Sequence, residues 1–401
     1  MNKPEALPDD LGVLGLAPTL VERARGLAPL IAQQADEIER TRRLTQPVVS
    51  ALTENGLYRS LLPQSFGGAE APPEVFMQML EEIAKADAST AWCLGQCSVC
   101  AMTAAYLDAD VAREVFGKPT DILAWGAIAN EVHVVPGGYR ITARWDFASG
   151  SRQANWLGAH VQVLEADGTR RMKPNGTPEI RTIVFPVTKA TMHDVWDVIG
   201  LLGTGTDSYS VENLFIPENF AALRDDFTAL REKGLLYRIT TYTMFGLGFA
   251  AISLGVARAT LDAAVDLARA KHSVGITAMR ENSAVQGLIG RTEGDLRAAR
   301  AYLYSTAAAA WHDLTRTGNL TEEHRAAIRL ASTWTIHQAA SVVDAAYHMA
   351  GATAVFRTNP FERRFRDMHA IAQQIQARDT HYEDVGKNIL NNSALPRGPT
   401  I

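Results

Sequence analysis

Between residues 19 and 115 apolar side chains recur at helical spacing. Leu27, Leu30, Ile31 and Ile38 fall at intervals of three, four and seven with charges between them, which predicts amphipathic helices that turn one face to a core. The stretch PQSFGGAEAPP, from Pro63 to Pro73, interrupts the pattern. Phe76, Met77, Met79, Leu80 and Ile83 then restart it ahead of ADASTAWCLGQCSVCAMTAAYL. From about 121 to 217 the period shortens to two. The runs GAIANEVHVV, YRITARWDF, WLGAHVQVLEADG, RTIVFPV and SYSVENLFIP, separated by turn signals such as Pro136-Gly137-Gly138, predict short strands. Beyond about 228 the helical period returns in long Ala-rich stretches, AISLGVARATLDAAVDLARAKH and EGDLRAARAYLYSTAAAAWHDL among them, and these predict a bundle. The expected fold is therefore mainly α with a central β-domain. It comprises an N-terminal helical domain over 1–120, a middle antiparallel barrel or sandwich over 121–225, and a C-terminal helical bundle over 226–401.

Composition narrows the function classes. With 401 residues and 47% apolar content the chain can bury a large core. Its net charge of -5 is made of interspersed charges with no basic stripe, so nucleic acid is not an expected partner. Glu5, Asp9 and Asp10 stand where a secretory signal would be basic and then apolar. No apolar run is expected to reach the roughly 20 residues that span a bilayer. Three cysteines in so long a chain fit a reducing compartment, and a cytoplasmic location is expected, with no membrane partner.

Several motifs compete for attention. Cys93, Cys97 and Cys100 have C-x3-C-x2-C spacing, as in an iron–sulfur ligand set, yet on a helix these positions share one apolar face, which favours core packing. Gly246-Leu247-Gly248-Phe249-Ala250-Ala251 matches a loose dinucleotide fingerprint. It opens a helix with no strand before it, so close helix packing is the better reading. His369 and His381 lack neighbouring thiols or carboxylates at ligand spacing, and no metal site is expected. The stretch ITARWDFASGSRQANW, Ile141 to Trp156, is different in kind. It brings Trp145 and Phe147 to a strand end at which Ala148-Ser149-Gly150 removes nearly all side-chain bulk. An aromatic wall, small residues and a hydroxyl suit a flat ring such as a flavin; an ordinary strand end and turn is the alternative.

Five stretches taken together resemble the acyl-CoA dehydrogenase superfamily, and within it the two-component flavin-dependent monooxygenases typified by p-hydroxyphenylacetate and steroid-phenol hydroxylase components. They are NGLYRSLLPQSFGG, EEIAKADASTAW, WDFASG, WDVIGLLGTGTDSYSVENLFIP and NPFERRFRDMHAIAQQ, in that order along the chain. The resemblance implies an N-terminal helical domain, a middle β-domain, a C-terminal four-helix bundle and a homotetramer with flavin bound between subunits. A dehydrogenase of this family needs a carboxylate to remove the substrate α-proton. Counting from Arg366-Asp367 to its usual place arrives at Gln374-Ile375-Gln376-Ala377, and Gly246 to Ala257, the alternative place, offers no acid either.

The monooxygenase branch implies reduced FMN or FAD from a separate NAD(P)H-dependent reductase, dioxygen, and a C4a-hydroperoxyflavin that oxygenates a small aromatic or heterocyclic substrate. By resemblance His369 is the acid/base and Ser149 meets the flavin N5 edge. Trp145, either beside the ring or packed in the core, joins Phe147, Ala148, Thr204, Thr206 and Lys271 as flavin contacts, Lys271 facing the phosphate of a neighbouring subunit's flavin. Trp92, Cys100, Phe356 and His369 are the expected substrate contacts, Cys100 standing where phenol hydroxylases tend to carry a His. A dehydrogenase with a relocated base and a non-catalytic scaffold of the same fold are the alternatives.

Overall fold

A computed structural model of the chain describes residues 17–127, 130–174, 176–271, 278–391 and 393–395. Glu5, Asp9 and Asp10, and two positions of the GAIANEVHVV run, lie outside the described residues.

Five helices come first: α1 (Ala17–Thr41), α2 (Gln46–Glu54), α3 (Pro73–Ala86), α4 (Ala88–Ala101) and α5 (Ala109–Phe116). The seven-residue recurrence in α1 is real, with Ala24, Ile31 and Ile38 all buried on its inner face. Pro72 and Pro73 start α3, where a missing N–H costs nothing. Asp87 separates α3 from α4 and caps the latter, its carboxylate accepting from the Thr90 N–H at 2.7 Å and from the Thr90 hydroxyl at 2.7 Å.

Eight strands follow: β1 (Leu123–Trp125), β2 (Asn130–Val135), β3 (Gly138–Ala148), β4 (Trp156–Leu164), β5 (Ile180–Pro186), β6 (Thr191–His193), β7 (Asp207–Pro217) and β8 (Ala221–Ala222). They form one sheet in the order β6-β7-β3-β2-β4-β5-β8, with β1 added to β4. The sheet is mainly antiparallel, as expected, with two parallel pairings added. β1 and β2 both run parallel to β4, because the chain leaves β3, passes the end of β2 and enters the sheet on β2's far side. That crossing is made by the segment from Ser149 to Asn155, so the predicted ligand stretch sits at the end of the sheet rather than within it.

The last region holds α6 (Thr241–Ala270), α7 (Ser283–Thr317), α8 (Glu322–Ala350), α9 (Phe361–Ile371) and α10 (Thr380–Asn391). Thr240, Asn282 and Thr321 cap α6, α7 and α8 with their side chains. α6 packs against α3, α4, α7, α8 and α9. By length and composition it could cross a membrane, with a mean hydropathy of 1.5 over its most apolar window, contrary to the sequence expectation; 89% of that window is buried inside the protein. Its apolarity is that of a helix enclosed on all sides. A Cβ at Gly248 would lie 3.0 Å from the Phe76 ring, and one at Gly255 only 2.5 Å from the Glu81 carbonyl oxygen. Gly248 of the loose fingerprint and Gly255 beyond it thus let α3 approach, as close packing requires, while Gly246 faces Ser332 of α8.

Hydrophobic burial among the described residues falls into three clusters, the smallest around Ala264, Ala346 and Phe361 where α6, α8 and α9 meet. One large core joins α1–α5 to the bundle helices. A smaller one lies on the sheet around Trp145, Tyr139, Phe185 and Tyr209.

Candidate active site

The end of β3 is irregular. Trp145 pairs with Tyr209 but Ala148 pairs with Asp207, so three steps along β3 answer two along β7. This one-residue bulge places Phe147 at φ 62°, a left-handed conformation unusual for a bulky residue. Plain alternation would put Trp145 and Phe147 on one face; the bulge separates them. Trp145 is fully buried, stacks on Tyr209 at 5.3 Å and donates its indole N–H to the His160 carbonyl at 3.2 Å. Phe147 is 59% exposed. Of the two aromatics expected beside a flavin, Trp145 is a core residue and Phe147 is the one presented to solvent. Ala148 is also fully buried, so it offers no platform on the surface.

One step on, Ser149 joins a line of hydrogen bonds. Trp92 of α4 donates its indole N–H to Ser149 Oγ at 3.0 Å. Ser149 Oγ lies 2.7 Å from Thr206 Oγ1, which lies 2.7 Å from Thr204 Oγ1, and Thr204 donates to the Leu201 carbonyl at 2.8 Å. Trp92 stacks face to face on Phe249 of α6, with centroids 3.8 Å apart and planes 4° from parallel, and Phe245 continues the stack at 5.5 Å. Four of the expected residues, Trp92, Ser149, Thr204 and Thr206, therefore meet at the junction of α4, β3 and the turn before β7.

That turn, Asp194 to Thr206, is gripped from several sides. Arg152 forks onto Asp207 with bonds of 2.7 and 2.9 Å and reaches Asp194 at 2.8 Å. Arg42 holds the Trp196 carbonyl and Asp194, each at 2.8 Å. From α9, Arg366 donates to the Ile199 carbonyl at 2.7 Å while Asp367 accepts from the Leu201 N–H at 2.6 Å. Burial, reinforced by the nearby Asp87 carboxylate, pushes the Asp367 carboxyl up to about 7, and burial raises Asp87 as well. The Arg366-Asp367 pair thus clamps the turn that carries the threonines. Arg152, Asp207 and Asp87 were not singled out in the sequence. Asp87 had a readable signal, an Asp three residues before Thr90 at a helix start; the Arg152–Asp207 pair spans too great a separation to have one.

The other expected residues are placed elsewhere. His369 follows Asp367 by two positions, which on a helix turns it roughly 200° away. Its Nε2 meets Asp344 of α8 at 2.9 Å and its ring packs on Phe365 at 4.3 Å. Within one chain His369 does not face Ser149, and its expected acid/base role has no geometric support there. Cys100 is fully buried, with Gln96 Nε2 3.7 Å from its sulfur. Burial drives all three thiols upward, Cys93 to about 12, as packing into an apolar helical interior does. Phe356 is 63% exposed in the connection between α8 and α9. Lys271 caps the far end of α6 and donates to Thr353 Oγ1 at 3.2 Å. It lies roughly 30 Å along the helix from Phe249, so one chain cannot bring it to Ser149.

An opening lies between the start of α6, α8 and the segment before α10. It is a cleft of about 30 Å³, room for one water, lined by Tyr242, Arg325, Arg329, Ser332, Gln376 and His381 among others. A Cβ on Gly246 would lie 3.4 Å from Ser332 Oγ and 3.9 Å from Gln376 Cγ. Burial holds the His381 imidazole down to about 4, and its nitrogens meet the Tyr242 and Thr333 hydroxyls, each at 2.8 Å. No carboxylate lines the cleft.

These features, a helical body that carries a sheet, with Trp92, Ser149, Thr204 and Thr206 meeting where the two join, define the architecture, and comparison with known proteins agrees. Residues 20–111 match the acyl-CoA dehydrogenase N-terminal domain and residues 247–378 the acyl-CoA dehydrogenase C-terminal domain; the chain belongs to the acyl-CoA dehydrogenase superfamily. Within it, the chain falls in the flavin-dependent monooxygenase branch. Indole-3-acetate monooxygenase of Pseudomonas putida is 29% identical over 90% of each chain. The HsaA oxygenase subunit of a flavin-dependent monooxygenase from Rhodococcus jostii is 27% identical, over 87% of this chain and 92% of that one. Among solved structures, the 3-HSA hydroxylase of Rhodococcus sp. RHA1 superposes with a TM-score of 0.86 at 25% identity, covering 94% of this chain and 97% of the other.

Proposed function

We propose that this chain is the oxygenase component of a two-component monooxygenase. It takes reduced FMN or FAD from a separate NAD(P)H-dependent reductase and inserts one oxygen atom of dioxygen into a small aromatic or heterocyclic substrate. Relatives named for indole-3-acetate and resorcinol support an aromatic substrate.

The observation that carries this reading over dehydrogenation is the cleft between Gly246 and Gln376. The two places where the resemblance would put a proton-abstracting carboxylate come together there, and neither carries an acid. Without that base an acyl thioester has nowhere to lose its α-proton.

The residues at the end of β3 fit a flavin. Phe147 supplies an exposed aromatic face, held by a strained bulge of the sort that collects at binding sites, and Ser149 supplies a hydroxyl at the edge of the same turn. When bound, the flavin supplies the electrons and the position at which dioxygen is activated. Phe147 would lie against the ring, Ser149 would offer its hydroxyl to a polar edge, and the stacked Trp92, Phe249 and Phe245 would close that side against water. Lys271 and Thr353, too distant for this chain's own site, are suited to the phosphate of a flavin held by a second copy, in keeping with the homotetramer that the resemblance implies.

Anaerobic binding of reduced FMN and FAD, followed by mixing with oxygenated buffer, tests the reading. The expected result is a near-ultraviolet transient that precedes the oxidised flavin spectrum, and oxygenated product when an aromatic acid or phenol is present. Bleaching of oxidised flavin by an acyl-CoA would overturn it in favour of dehydrogenation. Failure to bind either flavin would favour a scaffold.

A further inference from the structure

Along α8, Arg325, Ile328, Arg329 and Ser332 recur at helical spacing and share one face, which forms a wall of the cleft at the start of α6. Most polar groups around the cleft have partners. The Thr240 and Thr243 hydroxyls meet at 2.9 Å, the Tyr242 hydroxyl meets His381 Nε2 at 2.8 Å, and Thr333 donates to the Gln376 carbonyl at 2.8 Å. Two donors on the α8 wall differ. Ser332 is 2% exposed and its hydroxyl has no hydrogen-bond partner. Arg325 gives a terminal nitrogen to Glu322, while its buried Nε–H has none. Buried donors are costly to leave without an acceptor, and both of these residues line the cleft.

The surroundings set the charge of the acceptor that would satisfy them. Arg325 and Arg329 bring two guanidinium groups, and Thr240 and Thr243 mark the positive end of a 30-residue helix. Glu322 and Asp384, which pair with the two arginines, are not part of the lining. Among the described residues the cleft is therefore walled by donors and cations, with no carboxylate facing them. Gly246 sets the size. Having no side chain, it leaves space in front of Ser332, where a Cβ would stand 3.4 Å from Oγ and 3.6 Å from the Ser332 Cβ. About 30 Å³, room for one water, is too little for a carboxylate with its three heavy atoms but admits a single-atom anion only slightly larger than water. We propose that this cleft is a halide site in which chloride accepts from Ser332 Oγ and Arg325, with Arg329 and the first turn of α6 supplying the favourable field. The bound ion ties α8 to the start of α6 and, through Thr333 and the Gln376 carbonyl, steadies the segment that follows α9. The inference does not depend on the flavin reading.

Thermal unfolding of the full-length protein tests it, in sodium chloride and in sodium gluconate, whose anion is too large for the cleft, at one fixed ionic strength. Exchanging gluconate for chloride should raise the midpoint saturably, by on the order of 2 °C once chloride reaches about twenty times its dissociation constant, and bromide should act alike. Screening of surface charge depends on ionic strength and would not separate the salts. Ser332→Ala removes the unpaired donor and should abolish the chloride effect. Gly246→Ala fills the cleft with a methyl at ordinary contact distance; it should also abolish the effect, while unfolding in gluconate no lower than wild type because Ala favours the helix. Crystals soaked in bromide should show an anomalous peak in the cleft of wild type and none in Gly246→Ala. Equal midpoints in the two salts would overturn the proposal, as would a chloride effect that survives in both variants or a bromide-soaked cleft that holds only water.

Discussion

Gly200 offers a direct probe of how the turn is held. A methyl group added there would stand 2.2 Å from the Arg366 carbonyl oxygen, 2.5 Å from its carbon and 2.9 Å from the Asp367 nitrogen. All three are backbone atoms of α9, which no side-chain rotation can move. Reaching ordinary contact at 3.4 Å requires the turn to retreat by about 1.2 Å. That stretches the 2.6 Å Leu201–Asp367 bond and the 2.7 Å bond from Arg366 to the Ile199 carbonyl out of range. Each charged hydrogen bond contributes about 1.5–3 kcal/mol and overpacking alone costs about 1–3 kcal/mol. The contributions overlap, so Gly200→Ala is expected to destabilise by about 3–5 kcal/mol. Urea unfolding gives the number. Gly294→Ala, on the exposed side of α7 with nothing within 4 Å of the new methyl, serves as the control and should gain about 0.5–1 kcal/mol. A Gly200→Ala loss below about 1 kcal/mol would refute the clamp, because the turn would then have moved without losing anything.

Four further perturbations bear on the same picture. Asp367 is raised in the folded state from 3.8 to about 7, so the folded chain binds more protons than the unfolded one between those values. Its contribution to stability is complete below about pH 4 and is lost as pH rises to about 7; Asp367→Asn should flatten that part of the urea midpoint profile, and an unaltered profile would reassign it. Phe147→Gly should leave stability unchanged or raise it by up to about 1 kcal/mol by relieving the left-handed backbone, while weakening flavin binding; retained affinity would remove Phe147 from the site. Tyr304→Phe removes the 2.6 Å bond to Glu81, which Arg300 also holds across the helical body, and should cost about 1.5–3 kcal/mol in denaturant titration. His369→Ala should leave reduced-flavin affinity and turnover near wild type, since its hydrogen bond is to the partly exposed Asp344 and not to the Ser149 line; a hundredfold loss of product formation would restore its acid/base role.

The fold class was legible because period is a physical signature: 3.6 around Ile31 and Ile38, two through YRITARWDF, then 3.6 again. Turn chemistry likewise exposed Thr204 and Thr206, and the one-face spacing of the three cysteines announced the packed interior of α4. What alternation cannot register is a single inserted residue. The bulge at Asp146–Phe147 leaves the sequence pattern untouched yet exchanges which of two aromatics is buried, so Trp145 and Phe147 could not be told apart beforehand. Asp367 and His369 fail for the opposite reason. They are neighbours in any motif, but the helix sends them to opposite sides, one to Leu201 and the other to Asp344. The grip of Arg152 on Asp207 depends on two strands meeting, and the parallel entry of β4 depends on which side of β2 the chain chooses. Both are settled by long-range packing that no local stretch encodes.

The single core shared by α1–α5 and the bundle sets an order of events during synthesis. Phe76, Leu80 and Ala84 are covered by α6, which leaves the ribosome roughly 150 residues after α5. At about 5–20 residues per second the first helices therefore wait on the order of 8–30 s with their apolar faces open. The sheet, with its own smaller core, is complete before that wait ends. In this chain an early-made part waits long to be closed, and its need for chaperone cover should be greatest in the nascent state, before α6 exists.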